Sequence, residues 1–144
     1  LGDRTAHALG DLLEGAGLGR IVQVRNPLDV TPIVGDAAFA RAAEILLSDE
    51  GVDVAVVGCV PLTPSLQTLP RGAEHREDVE DAEGVAAGLG RVWRETRKAW
   101  LAVVDGGARY QAFTRALERH GIPVLGQSDR AVALLGRYVA SRLP

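Results

Sequence analysis

The residues of this chain best suited to chemistry are short polar side chains and glycines in loops. They are Asn26, Asp29, Thr31, Thr63, Ser65, Asp105, Gly106, Gly107 and Ser128. Hydroxyls and backbone amides of this kind hold oxyanions, above all where a helix begins. The three histidines, His7, His75 and His120, lie elsewhere in the sequence, so the loops lack a nucleophile paired with a base. We therefore predict no catalytic residue and a surface that faces phosphate or another anion.

Each of these loops also has a purely structural explanation. The polar side chains of 26–31 can hold a turn through backbone hydrogen bonds, and Thr63 or Ser65 can cap a helix. Asp105 before two glycines suits a turn, and Ser128-Asp129 suits the start of a helix. From the residues alone, both interpretations stay open.

The loops are joined by helices and strands that alternate along the chain. Apolar residues at helical spacing predict helices over 3–15, 36–47, 81–98, 108–120 and from 129 onward, with Asp36 and Asp129 as N-caps and Gly121 as the C-terminal stop. Apolar runs predict buried strands at 52–60 and 100–104, and a short one at 122–125. A further strand is expected at 21–24 or at 28–31, where prolines exclude a helix.

This alternation predicts βαβ crossovers and a doubly wound α/β fold, with a parallel sheet of about four strands and helices on both faces. Ligands of such sheets bind beyond the carboxyl ends of the strands. The loops 26–32, 60–66, 105–109 and 126–129 all follow strands, so we expect them to meet at that edge. The polar segment 71–83 is interpreted as a solvated surface.

Composition excludes several classes of protein. A net charge of −3 on 144 residues is unlike that of nucleic-acid binders, and no apolar run approaches the roughly 20 residues that span a bilayer. Cys59 cannot form an internal disulfide, and its apolar surroundings favour a buried packing role. We expect one cytoplasmic domain over 1–144 with a leading helix and turn at 1–19, no bound metal, and no nucleic-acid or membrane partner. Because the sequence begins at Leu1 and contains no methionine, we also expect a fragment of a larger chain.

Five segments resemble, in the same order, parts of one family: Asn26-Pro-Leu-Asp-Val-Thr31, the helix and strand of 37–53, Pro61-Leu-Thr-Pro64, the run 98–124 and Ser128-Asp-Arg-Ala131. The family is that of the NDP-forming acyl-CoA synthetases, the acetate–CoA ligase (ADP-forming) group related to succinyl-CoA synthetase. The first segment is similar to the family's N-P-V-D-L-T motif. The resemblance covers about residues 20–142 and is to the ligase-CoA domain.

The resemblance implies a flavodoxin-like fold within an enzyme that converts acyl-CoA, ADP and phosphate reversibly into acid, CoA and ATP. A phosphohistidine carries the phosphoryl group, in a Ser-His-Thr-Gly context of another domain that this chain lacks. The implied partners are the CoA-binding, phosphohistidine and ATP-grasp domains. The isolated domain is expected to be inactive and to bind no cofactor, whereas the parent would use CoA, ATP or ADP, and magnesium.

In related synthetases, a helix N-terminus of this domain helps to stabilise the phosphohistidine. The matching loop here is 61–65, with Thr63 and Ser65. This chain departs from the succinyl enzymes, which have a Gly-Gly loop, because Pro61 and Pro64 lack an N–H donor. Ala99 stands where the family has proline, and Gln127 where arginine is common.

Other functions are compatible with the same architecture. Within the family, the alternatives are a synthetase-like module of a protein acetyltransferase and an inactive paralogue. A receiver-type signalling domain would need an acidic pair after the first strand, where Arg25-Asn26 stand, and a lysine after the last, where Gly126-Gln127 stand. A flavodoxin-type FMN carrier would need aromatic residues around the ring, and the chain has only two each of Trp, Tyr and Phe.

Overall fold

The computed structural model describes residues 1–63 and 65–142. Its α-helices are α1 (Asp3–Gly15), α2 (Asp36–Ser48), α3 (Val85–Glu95), α4 (Gln111–Arg119) and α5 (Ser128–Ala140). Its strands are β1 (Val54–Cys59), β2 (Ala99–Val104) and β3 (Val124–Leu125), and a 3₁₀ turn at Ala108–Tyr110 precedes α4. None of the helices in these residues is long and apolar enough to cross a membrane.

The strands form one parallel sheet in the order β1-β2-β3. Val54 lies opposite Ala99, and Ala102 lies opposite Val124. Helix α3 connects β1 to β2, and α4 connects β2 to β3, so both connections are βαβ crossovers. The predicted α/β fold with a parallel sheet is confirmed.

The sheet has three strands in the described residues, not about four, because neither 21–24 nor 28–31 forms a strand. Thr31 adopts a φ of 64°, in the left-handed region that ends an extended run. Its N–H donates to Asp29 Oδ1 at 2.9 Å, which holds a local turn. Pro27 and Pro32 have no N–H to donate to a neighbouring strand. These local preferences outweigh the β-branched character of the segment.

Helices cover both faces of the sheet, as predicted. On one face, Leu101 and Val103 pack against Ala131 and Leu135 of α5. On the other face, alternate residues of β2 join a larger cluster with residues of α2, α3 and α4, among them Phe113, which is fully buried. Burying a side chain of that size contributes about 1.5–3 kcal/mol. Alternation along β2 therefore divides the core into two layers.

Two predicted N-caps are wrong. Helix α2 begins at Asp36 itself, after Gly35, and α5 begins at Ser128, after Gln127; neither N-cap makes a side-chain hydrogen bond. The predicted end of α4 is confirmed: Gly121 has a φ of +88° and donates its N–H to the carbonyl of Glu118. Such a left-handed position after a helix favours glycine.

The predicted packing role of Cys59 is confirmed, since its side chain is 1% exposed within the larger core cluster. Burial raises the pKa of the Cys59 thiol to about 12. The thiol is therefore protonated at neutral pH and has little nucleophilic character.

Candidate functional site

The loops that follow the strands emerge at one edge of the sheet, because all strands run in the same direction. The loop after β2 touches the loop after β1: a Cβ added to Gly106 would lie 2.8 Å from Pro61 Cγ and 2.5 Å from Tyr110 Cδ2. The loop 126–129 begins beside them, since β3 pairs with β2. Three of the four predicted loops are thus neighbours.

The fourth loop joins this edge through a cavity of about 590 Å³ between it, α2 and β1. Asp29 and Thr31 line the cavity from one side, and Val60 and Thr63 line it from the other. Phe39 of α2 contributes to its apolar floor. The cavity therefore connects the segment after Pro27 with the loop after β1.

Thr31 and Thr63 contribute two hydroxyls to this cavity wall. Thr63 is 7% exposed, and both Oγ1 atoms are buried without a hydrogen-bond partner in the residues that the structure describes. Buried hydroxyls are normally hydrogen-bonded, so an unpaired one marks a place where a ligand, water or partner group is expected. Apolar walls with two such hydroxyls suit a ligand that offers one polar group.

The remaining predicted residues are spread along the edge. Asn26, Asp105, Gly107 and Ser128 are exposed, whereas Gly106 and Ser65 are partly buried. Of these residues, none lines the cavity. The structure therefore groups Asp29, Thr31 and Thr63 around the cavity and leaves the other predicted residues outside it.

Of the two interpretations of Thr63 and Ser65, the helix cap is wrong, because 65–84 contains no helix. Glu77 instead holds this long loop in place. Its Oε2 accepts hydrogen bonds from the Thr68 N–H at 2.8 Å, the Thr68 hydroxyl at 2.9 Å and the Leu69 N–H at 3.1 Å. The loop amides that face Glu77 are consequently bound to an anion of the chain itself.

A second set of hydrogen bonds fixes the loop to α2 and α3. Asp36 Oδ1 accepts from the backbone N–H of Gln67 at 2.9 Å and of Val85 at 2.8 Å. The Gln67 side chain donates to Asp81 at 3.1 Å and accepts from the Asp78 N–H at 3.2 Å. The backbone N–H of Glu83, and then Gln67, lower the pKa of the Asp81 carboxyl.

The sequence analysis did not identify Glu77 or Gln67 as functional residues. Glu77 lies in the segment interpreted as solvated surface, and Gln67 lies in the loop just before it. Glu77 belongs to the polar segment 71–83, where nothing distinguishes it from neighbouring acids. Thr68, its partner, is fully buried. The sequence offered no signal for this contact, because it shows a threonine before an acidic run but not that the threonine is buried.

The histidines lie outside the cavity. His7 contacts the Asp3 carbonyl oxygen through Nδ1 at 2.7 Å on the surface of α1. Burial, and then the nearby charges of Arg94 and Arg119, lower the pKa of His120. Within residues 1–63 and 65–142, no group of three metal-ligating side chains comes together.

Two solved structures share this fold. PH0766 from Pyrococcus horikoshii OT3 is 25% identical with a TM-score of 0.63, over 88% of this chain and 26% of that chain. The dinucleotide forming acetyl-coenzyme A synthetase 1 of Ca. Korarchaeum cryptofilum, in its apo form, is 17% identical with a TM-score of 0.56, over 90% of this chain and 29% of that one. This chain thus spans less than a third of either protein, and its fold is like that of one part of an acyl-CoA synthetase.

No family model matches the sequence, and no curated protein matches it significantly.

Proposed function

We propose that this chain is the ligase-CoA domain of an NDP-forming acyl-CoA synthetase of the cytoplasm. The parent enzyme would convert acyl-CoA, ADP and phosphate into acid, CoA and ATP, through a phosphohistidine in another domain. The observation that carries the proposal is the fold match, which covers about nine-tenths of this chain and about a quarter of larger proteins, one of them an acetyl-CoA synthetase. The ordered family motifs from Asn26 to Ala131 support it independently.

In this proposal the domain docks onto the other synthetase domains and does no chemistry alone. CoA, the nucleotide and magnesium would bind to those other domains. The edge with Thr63, Ser65 and 105–107 would face the phosphoryl group as it passes. Hydroxyls and amides at that edge stabilise negative charge without taking part in proton transfer.

Several backbone N–H groups of the loop after β1 are already hydrogen-bonded within the chain and cannot contact the phosphoryl group. Glu77 already occupies the N–H groups of Thr68 and Leu69, and Asp36 occupies that of Gln67. Pro61 has no N–H. Among the side chains of this loop, the Thr63 hydroxyl is a buried donor without a partner in the described residues, so we assign it the contact with the anion.

A complementation experiment tests the proposal. The parent protein lacking this segment is assayed for ATP formation from acetyl-CoA, ADP and phosphate, alone and with the separate 144-residue chain. We expect no turnover by either piece and recovery when both are present. A Thr63→Val chain should recover about tenfold less activity, a conservative figure for losing one donor to a charged group.

The matched control is Thr114→Val, which removes a hydroxyl from α4, away from the loop edge. ATP formation by the chain alone would contradict the proposed division of labour. Full activity of the parent without this segment, or no recovery with a chain shown to be folded, would contradict the assignment to a synthetase.

A further inference from the structure

Strand β1 forms one edge of the sheet, and its outer side has no neighbouring strand in the residues that the structure describes. It pairs with β2 alone, and no backbone hydrogen bond from another segment reaches 54–59. In an edge strand, alternate N–H and C=O groups point away from the one partner strand. The outer side of β1 therefore presents a row of backbone donors and acceptors without a backbone partner.

The cavity of about 590 Å³ borders this free edge. Val56, Val57 and Gly58 all line it, although successive side chains of a strand point to opposite faces of a sheet. Lining by residues of both faces is expected of a cavity that lies beside the edge of the strand. The space is open at Gly58, since an added Cβ would meet no atom within 4 Å. The cavity thus leaves room where a further strand would lie.

Helix α2 extends over this space. Phe39, Ala43 and Leu46 of α2 line the cavity, and the first two belong to the core cluster against which Val57 packs. The helix therefore covers one face of β1 and continues over the position beside it. In layered α/β folds, the apolar stripe of a helix packs on strands. A strand in the cavity would bury its apolar side chains against α2.

The opposite face of β1 carries an exposed apolar stripe. Val56 is 39% exposed, Val60 60% and Leu62 71%. These residues are an even number of positions apart, so an extended backbone places them on one face. Val56 lies opposite Leu101, which packs against α5, but α5 leaves the stripe itself uncovered. Contiguous apolar surface of this kind marks an interaction site.

The chemistry of this surface selects its occupant. Residues 54–63 contain no charged side chain, and among the described residues that line the cavity only Asp29 is charged. Natural edge strands are usually protected by charges, prolines or bulges, and β1 has neither a charge nor a proline. A row of alternating backbone donors and acceptors is matched by another extended backbone. The surface therefore suits an uncharged, extended polypeptide.

We propose that an extended, uncharged segment of a partner polypeptide adds to the sheet beside β1, with alternate apolar side chains packed against α2. This is the β-augmentation mode of peptide recognition. In both solved structures that share this fold, most of the chain lies outside the shared part, so further polypeptide accompanies the domain there. Thr63 lies beyond the end of β1. Strand addition is therefore independent of the proposed contact between Thr63 and an anion, and either proposal can fail alone.

Amide hydrogen exchange of the 144-residue chain with a synthetic peptide tests the proposal. The probe is acetyl-Lys-Thr-Val-Thr-Val-Thr-Val-Lys amide, whose alternating residues favour a strand. We expect saturable binding, with exchange about tenfold slower at those amides of 54–59 that do not bond to β2. The matched control peptide carries N-methyl groups on all its central residues. It keeps the side chains but loses the backbone donors, and it should not bind at concentrations that saturate the probe.

Variants locate the peptide at β1. Gly58→Lys adds a charge where the structure has open space, so it is compatible with folding. We expect about fivefold weaker binding, because a charge on the edge opposes strand addition and repels the lysines of the probe. Gly58→Thr, with a β-branched residue at the same position, should bind at least as well as the unchanged chain. Val132→Lys, at a 62% exposed position of α5, should leave binding unchanged.

Four results would overturn the proposal. If the folded chain shows the same exchange in β1 with and without the probe, the edge does not accept a strand. Equal binding of the N-methylated peptide would mean that backbone pairing is not involved. Protection at β3 instead of β1 would place the peptide on the other edge of the sheet. Protection of β1 that rises with protein concentration without the probe, together with a doubled mass, would assign the edge to a second copy of the chain.

Discussion

Asp36, the first residue of α2, caps α3 and not its own helix: its Oδ1 accepts a hydrogen bond from the backbone N–H of Val85 at 2.8 Å. Val85 is the first residue of α3, whose own N-cap, Gly84, has no side chain to offer. The same oxygen accepts from the Gln67 N–H. One carboxylate therefore joins two helices and the long loop between β1 and α3.

We predict that Asp36→Ala lowers the free energy of unfolding by about 1–3 kcal/mol, because two partly buried N–H groups lose their acceptor. Asp36→Asn should lose less, since the amide oxygen can still accept. Urea unfolding measures both. Asp129→Ala is the control: Asp129 is exposed in the first turn of a helix that has no side-chain cap, and we expect a change within about 0.5 kcal/mol. Equal losses for Asp36→Ala and Asp129→Ala would contradict the capping role.

We predict that Glu77→Ala loosens the loop between β1 and α3. The fully buried Thr68 would lose the acceptor for its N–H, at a cost of about 1–3 kcal/mol. Amide hydrogen exchange at Thr68 and Leu69 should become faster. Exchange in β2 should accelerate only by the amount that the lower global stability of the variant accounts for. Glu74→Ala, at an exposed position of the same loop, should leave these amides protected. Unaltered exchange at Thr68 in the Glu77 variant would show that its carboxylate does not hold the loop.

We predict an acid-sensitive contribution from Asp49, which is 4% exposed at the end of α2. The Thr5 hydroxyl, and then the N–H groups of Gly2 and Gly51, lower the pKa of its carboxyl from 3.8 to about 2. A lowered pKa in the folded state stabilises the fold above the unfolded-state pKa, and this stabilisation is lost as the pH falls from about 4 to about 2.

Unfolding free energies measured from pH 5 down to pH 2 test this. Asp49→Asn should flatten the acid side of the curve, because the amide does not titrate there. Asp11→Asn, at an exposed position on α1, should leave its slope unchanged. If the Asp49→Asn protein loses as much stability in acid as the unchanged protein, the loss comes from other carboxyl groups.

We predict that Gly106→Ala disturbs the contact between the loops after β1 and β2. The added methyl group would lie 2.5 Å from Tyr110 Cδ2 and 2.8 Å from Pro61 Cγ, and neither ring has a flexible end that can move aside. Overpacking of this kind costs about 1–3 kcal/mol. Gly126→Ala is the matched control on the same edge, since nothing lies within 4 Å of its added Cβ. Thermal unfolding of both variants compares them, and equal midpoints would mean that the two loops do not pack together.

Local pattern in the sequence was sufficient to predict those helices and strands that are determined mainly by neighbouring residues along the chain. Apolar spacing predicted α1 with the bounds that it has, and apolar runs predicted β1 and β2 within two residues. Gly121 was predictable because a helix that ends in a left-handed residue favours glycine there, whatever the distant contacts. The α/β class followed from the alternation of these elements.

Tertiary structure alone decided where the polar side chains find their partners. Asp36 looked like a local N-cap, but its partner Val85 is 49 positions away, and only the packing of α2 against α3 brings the two together. Glu77 and the cavity beside β1 were invisible for the same reason. A helix or strand is selected by the preferences of neighbouring residues, whereas the partner of a carboxylate or the wall of a cavity depends on distant segments that meet only when the core has formed.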